Sequence, residues 1–306
     1  MLSVIIPNYC HARYLKERIE SILAQSYQDF ELIILDDYST DNSREVIEQY
    51  RSNPRVKHIV YNEQNSGSPF VQWQRGFSLA SGEYIWIAES DDVAEPTLAE
   101  RCIEALESNP DAVLAFTDCR YIDSDSQPLG TTRHSKELAH GKKGTHRYSS
   151  KEFIQKRLLY QNYVMNASMA IFRKSAIPAD NYYASFRYAG DWLFWIGVAM
   201  AGDVLYINEP LDLFRQHKSS TTAQSVTAGR NFDEVRKLLD YTLPQVSLPW
   251  GYKLFLEGKY FARVERQRRH NDAFEEGYQR WIAWSRHPRL ALIWYRIAKM
   301  LNIYRL

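Results

Sequence analysis

Three carboxylates fall within four positions at Glu89-Ser90-Asp91-Asp92, directly after the apolar run Tyr84-Ile85-Trp86-Ile87-Ala88. A run this short, rich in β-formers and opened by Gly82, reads as a buried strand. Open α/β sheets hold ligands just outside the carboxyl ends of their strands. Carboxylates crowded at such a point repel one another, and a hard cation relieves that repulsion. A solvated acidic turn at the start of the next helix presents the same residue types, and an isolated Asp-Asp pair would favour that blander reading. Here the pattern recurs: the apolar run Phe30 to Leu35 also ends in acids, Asp36-Asp37, and the run Leu2 to Pro7 ends in Asn8-Tyr9.

The elements that must position these groups alternate regularly. Leu15, Ile19, Ile22 and Leu23 lie at helical spacing within Tyr14 to Gln25. Ser43 to Tyr50, Phe70 to Ser81 and Pro96 to Ser108 are the next helices, and Val56 to Tyr61 and Ala112 to Thr117 are further strands. Five strands separated by four helices over about the first 120 residues predict a mostly parallel, helix-flanked sheet with right-handed crossovers. Asp123 to Tyr148 is polar and glycine-bearing and reads as a loop or excursion. Ser149-Ser150-Lys151-Glu152 opens a helix to about Leu159. Ala167 to Arg173 reads as a strand, Asp191 to Met200 as an aromatic-rich helix, and Val204 to Ile207 and Leu211 to Arg215 as short strands around Pro210.

Composition narrows the class. With 306 residues, 45% apolar and 25% charged, the chain is long enough for one large domain or two ordinary ones. A formal net charge of +1 gives no overall bias toward nucleic acid. Cys10, Cys102 and Cys119 are odd in number and widely spaced, which fits neither a metal motif nor a disulfide framework and points to a reducing cytosol. The N-terminal residues lack the pattern of a signal peptide, and no apolar run approaches the roughly 20 residues that span a bilayer. After Gln279 no acidic residue follows, while Arg280, Arg286, Arg289, Arg296, Lys299 and Arg305 lie among Trp281, Trp284, Leu290, Leu292, Ile293, Trp294, Ile297, Met300, Leu301 and Ile303. A basic, Trp-bearing amphipathic tail suits peripheral contact with a membrane surface. A helix packed on the rest of the protein with its arginines in water gives the same pattern, and both readings stand. No nucleic-acid fold motif accompanies the charge.

Four segments together resemble family 2 glycosyltransferases, inverting enzymes with the GT-A fold. They are Val4-Ile5-Ile6-Pro7-Asn8-Tyr9 with Phe30 to Asp41; Asn65-Ser66-Gly67 through Ala80-Ser81-Gly82-Glu83-Tyr84-Ile85; Glu89-Ser90-Asp91-Asp92; and Ala189-Gly190-Asp191-Trp192 with Phe214-Arg215-Gln216-His217. The resemblance implies a GT-A domain over residues 1–222, with a nucleotide-sugar half over 1–120 and an acceptor-side half over 121–222. Residues 223–306 form a helical extension outside the motif.

The resemblance also implies roles. Tyr9 stacks on a uracil or thymine face, Asp37 accepts from the pyrimidine N3–H, and Pro7 fixes the turn. Asp91 and Asp92 resemble the DxD region, where Mg2+ or Mn2+ bridges a carboxylate and the diphosphate, and Asp92 is the leading ligand. Glu89 takes the place of the usual first Asp, which lengthens the arm. Asp191 holds the position of the base that takes the acceptor proton, and the same residue could also cap its helix. His217 contacts the diphosphate or the metal. Arg75 is displaced from its usual place in the family, which leaves Gln72 or Trp73 to face the donor. Trp192, Asn166 and Ser168 lie on the acceptor side. The implied reaction is metal-dependent transfer from a UDP- or dTDP-sugar to a hydroxyl of a saccharide or lipid-linked glycan, on the cytoplasmic side, as in building bacterial surface polysaccharide. A nucleotidyltransferase would need a phosphate-gripping loop where Asn8-Tyr9-Cys10-His11 stands. A non-catalytic sugar-nucleotide-binding module would lack the base or the metal acids.

Overall fold

The computed structural model describes residues 1–132, 134–217, 230–269 and 274–304. The 222/223 boundary and Arg305 lie outside the described residues. The chain forms two compact units, Met1–Phe153 with Tyr163–His217, and Ile154–Asn162 with Lys218–Leu306.

The first unit is a helix-flanked sheet. Its strands are β1 (Leu2–Asn8), β2 (Phe30–Asp36), β3 (Val56–Tyr61), β4 (Tyr84–Ile87), β5 (Val93–Ala94), β6 (Ala112–Ile122), β7 (Pro128–Thr131), β8 (Thr145–Tyr148), β9 (Ala170–Arg173) and β10 (Asp203–Arg215). Its helices are α1 (Ala12–Leu23), α2 (Ser43–Glu48), α3 (Pro69–Leu79), α4 (Leu98–Glu107), α5 (His134–Ala139), α6 (Ser150–Phe153) and α7 (Gly190–Met200). The strand order is β3-β2-β1-β4-β9-β6-β10-β5, with β7 on β6 and β8 on β10.

β1 and β2 are buried along their whole length because helices cover both faces, which is why they read as unbroken apolar runs. Leu15, Ile19 and Ile22 of α1 and Leu98, Cys102 and Leu106 of α4 join Val4, Ile6, Leu32, Ile34 and Trp86 in one core. Each such aliphatic side chain stabilises the fold by about 1.5–3 kcal/mol relative to exposure. On the opposite face α3 approaches so closely that a Cβ at Gly76 would lie 2.5 Å from the Ile5 side chain. β1 runs parallel to β2 and β4, from Leu2↔Phe30 to Asn8↔Asp36 and from Leu2↔Tyr84 to Ile5↔Ile87. The three strands therefore deliver their C-terminal residues to one edge.

The parallel order holds for β3-β2-β1-β4, and β9 then runs antiparallel between β4 and β6. Among its described residues the polar stretch after Asp123 forms β7, α5 and β8: β7 folds back on β6 as a hairpin, and β8 pairs with β10, which is distant in sequence. The two short strands expected around Pro210 are one strand. β10 pairs with β6 through register shifts on either side of Pro210, which absorb a residue that cannot donate to the ladder.

In the second unit, α8 (Arg230–Thr242), α9 (Trp250–Arg268), α10 (Glu275–Trp284) and α11 (Pro288–Met300) carry most of the described residues. The segment Ile154–Asn162 belongs here because α9 holds its carbonyls: Tyr252 donates to Gln155 at 2.6 Å, and Tyr260 donates to Leu159 and Tyr160 at 3.0 and 2.8 Å. α9 and α11 touch backbone to backbone, since a Cβ at Gly258 would overlap the Ala291 carbonyl. Among the described residues no helix is long and apolar enough to cross a membrane.

Candidate active site

The loops after β1 and β2 are latched to each other. Asn8 Nδ2 donates to Asp36 Oδ1 at 2.8 Å and to Ser39 Oγ at 3.1 Å. The Cys10 N–H donates to Ser39 Oγ at 2.9 Å, and the Ala12 N–H donates to Asp41 Oδ2 at 2.9 Å. Asp36, Ser39 and Asp41 thus accept from the neighbouring loop, which explains why the acids recur in that spacing. Cys10 and Tyr38 both adopt positive φ, 56° and 64°, so the backbone turns sharply just beyond the two strands. That turn leaves the Tyr9 side chain 49% exposed at the sheet edge. Pro7 sits inside β1 opposite Leu35.

Asp37 is buried and gathers the next loop. Its carboxylate accepts from Asn62 Nδ2 at 2.6 Å, the Ser66 N–H at 2.9 Å, Ser66 Oγ at 2.7 Å, Gln72 Nε2 at 2.9 Å and Asn65 Nδ2 at 3.3 Å. Beside it opens a cavity of about 680 Å³ lined by Tyr61, Asn62, Glu63, Gln64, Ser66 and Arg75. Arg75 donates to Asn62 Oδ1, so this arginine reaches the Asp37 neighbourhood although the sequence offered no role for it.

After β4 the three acids part company. Glu89 accepts from Trp73 Nε1 at 3.1 Å, and its N–H donates to Ser168 Oγ at 3.0 Å. Asp91 Oδ2 lies 2.8 Å from His217 Nε2. Asp92, the leading metal candidate from sequence, turns inward. Its oxygens accept from Asn166 Nδ2 at 2.6 Å, Ser168 Oγ at 2.7 Å and the Arg215 N–H at 2.9 Å. The turn from Glu89 to Asp92, closed by the Asp92 N–H on the Glu89 carbonyl at 3.3 Å, sends consecutive side chains to opposite sides. Asn166 and Ser168, expected on the acceptor side, are therefore buried partners of Asp92.

Among the described residues, His11, Asp91 and His217 form a group that could hold a metal: one ligand atom from each lies within 4.8 Å of the others. His11 Nδ1 lies 2.8 Å from Ser90 Oγ, and the two imidazoles stand edge to face at 5.7 Å. Arg215 fixes the backbone beneath. Its Nε donates to the Asp91 carbonyl at 2.6 Å and its Nη2 to Glu17 at 2.8 Å, while its guanidinium lies over Tyr14 at 4.6 Å.

The electrostatics follow from this packing. Burial and the charges of Asp91 and Asp92 push the Glu89 carboxyl up to about 8. Burial and Asp91 push Asp92 up to about 6. Burial also pushes Asp91 upward, but the His217 hydrogen bond and the His11 charge more than offset it, and the group ends below the ordinary range. His217 is raised in turn by its bond to Asp91. Under the site, Arg18 is fully buried in the field of Asp92 and Asp212, 5.1 Å over the Trp86 ring. Asp212 accepts from Asn166 at 3.2 Å, and burial and Asp92 hold its carboxyl well above the usual range. Sequence reading passed over His11, Arg18 and Asp212. The signal for Arg18 is its place in Leu15-Arg18-Ile19-Ile22, a cation inside an apolar stripe at helical spacing.

α3 ties the parts together. Phe70 touches Gly190, Gln72 reaches Asp37, and Trp73 reaches Glu89 while packing edge-on against Phe194 of α7 at 5.4 Å. Gln72 and Trp73, expected to face the donor, are buried and turned to these carboxylates. Asp191 and Trp192 lie in the first turn of α7, directly after Gly190. A Cβ at Gly190 would stand 2.5 Å from both the Phe70 ring and the Tyr183 carbonyl. Gly190→Ala is accordingly expected to lower stability by about 1–3 kcal/mol, read by thermal melting. An unchanged melting temperature would show that α7 can shift freely.

Comparison with known proteins agrees with this architecture. Residues 3–179, more than half of the chain, match the family described as Glycosyl transferase family 2. An uncharacterised glycosyltransferase of Nostoc sp. is 41% identical over 130 residues, 42% of this chain and 39% of the relative. TuaG of Bacillus subtilis, described as a teichuronic acid biosynthesis glycosyltransferase, is 32% identical over 137 residues, 45% of this chain and 54% of the relative. The chain thus spans about two-fifths to one half of these relatives. Staphylococcus aureus TarS 1–349 in complex with UDP-GlcNAc superposes with a TM-score of 0.65 at 19% identity, over 85% of this chain and 71% of that one, and shares the expected fold. The chain belongs to glycosyl transferase family 2.

Proposed function

We propose that the chain is a metal-dependent inverting glycosyltransferase. In this reading it moves a sugar from a UDP- or dTDP-linked donor to a hydroxyl of a saccharide or lipid-linked glycan, in bacterial surface polysaccharide synthesis, with residues 121–222 on the acceptor side and peripheral contact with the inner face of the membrane. The observation that carries it is the edge at which the adjacent strands β2, β1 and β4 end together, with the Asp37 cluster after β2, exposed Tyr9 after β1, and Asp91 of the His11-Asp91-His217 group after β4. That the TarS structure holds UDP-GlcNAc and that TuaG is described in teichuronic acid synthesis supports the donor and acceptor classes.

Tyr9 offers its ring to the base, and the pyrimidine N3–H takes the place of the longest donor on Asp37, Asn65 at 3.3 Å. Asp91 and His217, with His11 adjoining, would hold a divalent cation, which would supply Lewis-acid neutralisation of the leaving diphosphate. Two imidazoles and one carboxylate suit Mn2+ better than Mg2+, which is held by oxygen. Asp92 is reassigned from ligand to support: it fixes the backbone of Arg215, two residues before His217. Asp191 takes the proton of the acceptor hydroxyl as that oxygen bonds to the anomeric carbon. The bond from that carbon to the phosphate oxygen breaks on the opposite face, and the configuration inverts.

The test is turnover of a panel of nucleotide sugars with Mn2+, before and after chelation; full activity after exhaustive chelation removes the metal from the reading. Tyr9→Ala sharpens it. The side chain is exposed, so the fold should be unaffected. Loss of base stacking, worth about 1–3 kcal/mol, should raise the donor KM roughly 5- to 150-fold with little change in kcat. A fall in kcat at constant KM would place Tyr9 elsewhere.

A further inference from the structure

α11 packs on α9 through Ala291 and Ala298, both buried, and through Trp294, whose Nε1 donates to the Gly251 carbonyl at 2.7 Å. At 100° per residue these positions cover one side of the helix. Leu290, Ile293, Ile297, Met300 and Leu301 fall together on the next side, within an arc of about 100°. They are open to solvent: Ile293 is 54% exposed, Met300 76% and Leu301 60%. An apolar stripe this long on a helix that already has a packed face is not needed for the fold. Arg289 and Arg296 border it on the side away from Ala291, Lys299 lies beyond them, and all three are exposed, although Arg296 also approaches Glu265 at 3.4 Å. No acidic residue follows Gln279.

We infer that the Leu290–Leu301 face of α11 is a docking surface for an anionic lipid bilayer. The stripe enters the headgroup–acyl boundary and the basic border meets the anionic headgroups. The two sequence readings of the tail then apply to different sides of one helix. Charge complementarity selects the partner. A protein groove would take the apolar stripe but has no need of a cationic border with no acid among it, whereas an anionic membrane surface attracts each such cation independently. The inference deepens the membrane contact in the proposed function and rests on that reading only for the lipid as partner.

The experiment is flotation of the full chain with vesicles of phosphatidylcholine alone or mixed with phosphatidylglycerol. The wild type should float with the anionic vesicles, less at high salt, and stay at the bottom with the neutral ones. Ile293→Glu with Ile297→Glu should cut the bound fraction by about tenfold or more, and Arg289→Glu with Lys299→Glu should remove the anionic preference. Both variants should keep the wild-type melting temperature, UDP-induced thermal stabilisation and turnover on a water-soluble acceptor. Equal flotation of the Ile variant, or a folded wild type that never floats, overturns the inference. So does a change from dimer to monomer in the Ile variant without vesicle binding, because a second copy then covers the face. Failure of the transferase reading would appear separately, as absence of turnover in a protein that still floats.

Discussion

Asp191→Asn is expected to lower turnover by about two to four orders of magnitude, the usual contribution of a positioned general base, while leaving nucleoside diphosphate binding nearly unchanged. The substitution keeps the shape of the side chain in the first turn of α7, and Gly190 packs this turn against Phe70 and Tyr183. Binding and chemistry should therefore separate. Isothermal titration with UDP reads the first and steady-state turnover the second. Retained turnover, or collapse of UDP affinity, would sink the assignment and leave Asp191 as a helix-start residue.

The second large effect is a contrast between neighbours. Asp91→Asn should lower the melting temperature less than Asp92→Asn does, through loss of the His217 bond, and reduce activity by about a hundredfold or more, because the proposed cation would lose its carboxylate and with it several kcal/mol of charge stabilisation. Asp92→Asn should instead destabilise the fold by about 2–4 kcal/mol. An amide in place of that carboxylate turns an NH2 toward a pocket whose three groups, Asn166 Nδ2, Ser168 Oγ and the Arg215 N–H, all donate. Relief of repulsion with Asp212 offsets part of this cost. If the two variants were interchangeable in melting temperature and metal requirement, the division between outward Asp91 and inward Asp92 would be wrong.

The contrast also marks how far the sequence was legible. β1, β2 and β4 and the acids at their ends were readable, because buried parallel strands are near-continuous apolar runs and break sharply at polar residues. The direction of each acid was not: adjacent residues in a turn diverge, and only Asn166, Ser168 and Arg215, which lie more than 70 positions away, show which way Asp92 points. Pro210 looked like a strand break because a ladder without its N–H is interrupted, yet a bulge carried β10 through. Arg18 and Asp212 were invisible as a pair, since their field acts across the core between α1 and β10. The tail was ambiguous because periodicity gives the sides of a helix but not which side meets its neighbour; Gly258 and Ala291 decide that for α11.

α3 has a mechanical consequence. Gln72 and Trp73 are consecutive, about 100° apart around the helix axis, and each is bonded to a different carboxylate. The helix is thus a spacer bar between the Asp37 loop at the proposed base end and Glu89, two residues before Asp91 of the proposed diphosphate end. Because both bonds spring from the same turn of one helix, displacement of either loop is resisted by the same element. Selection for a new sugar can then act on the loops around the bar without recalibrating the distance from base to diphosphate.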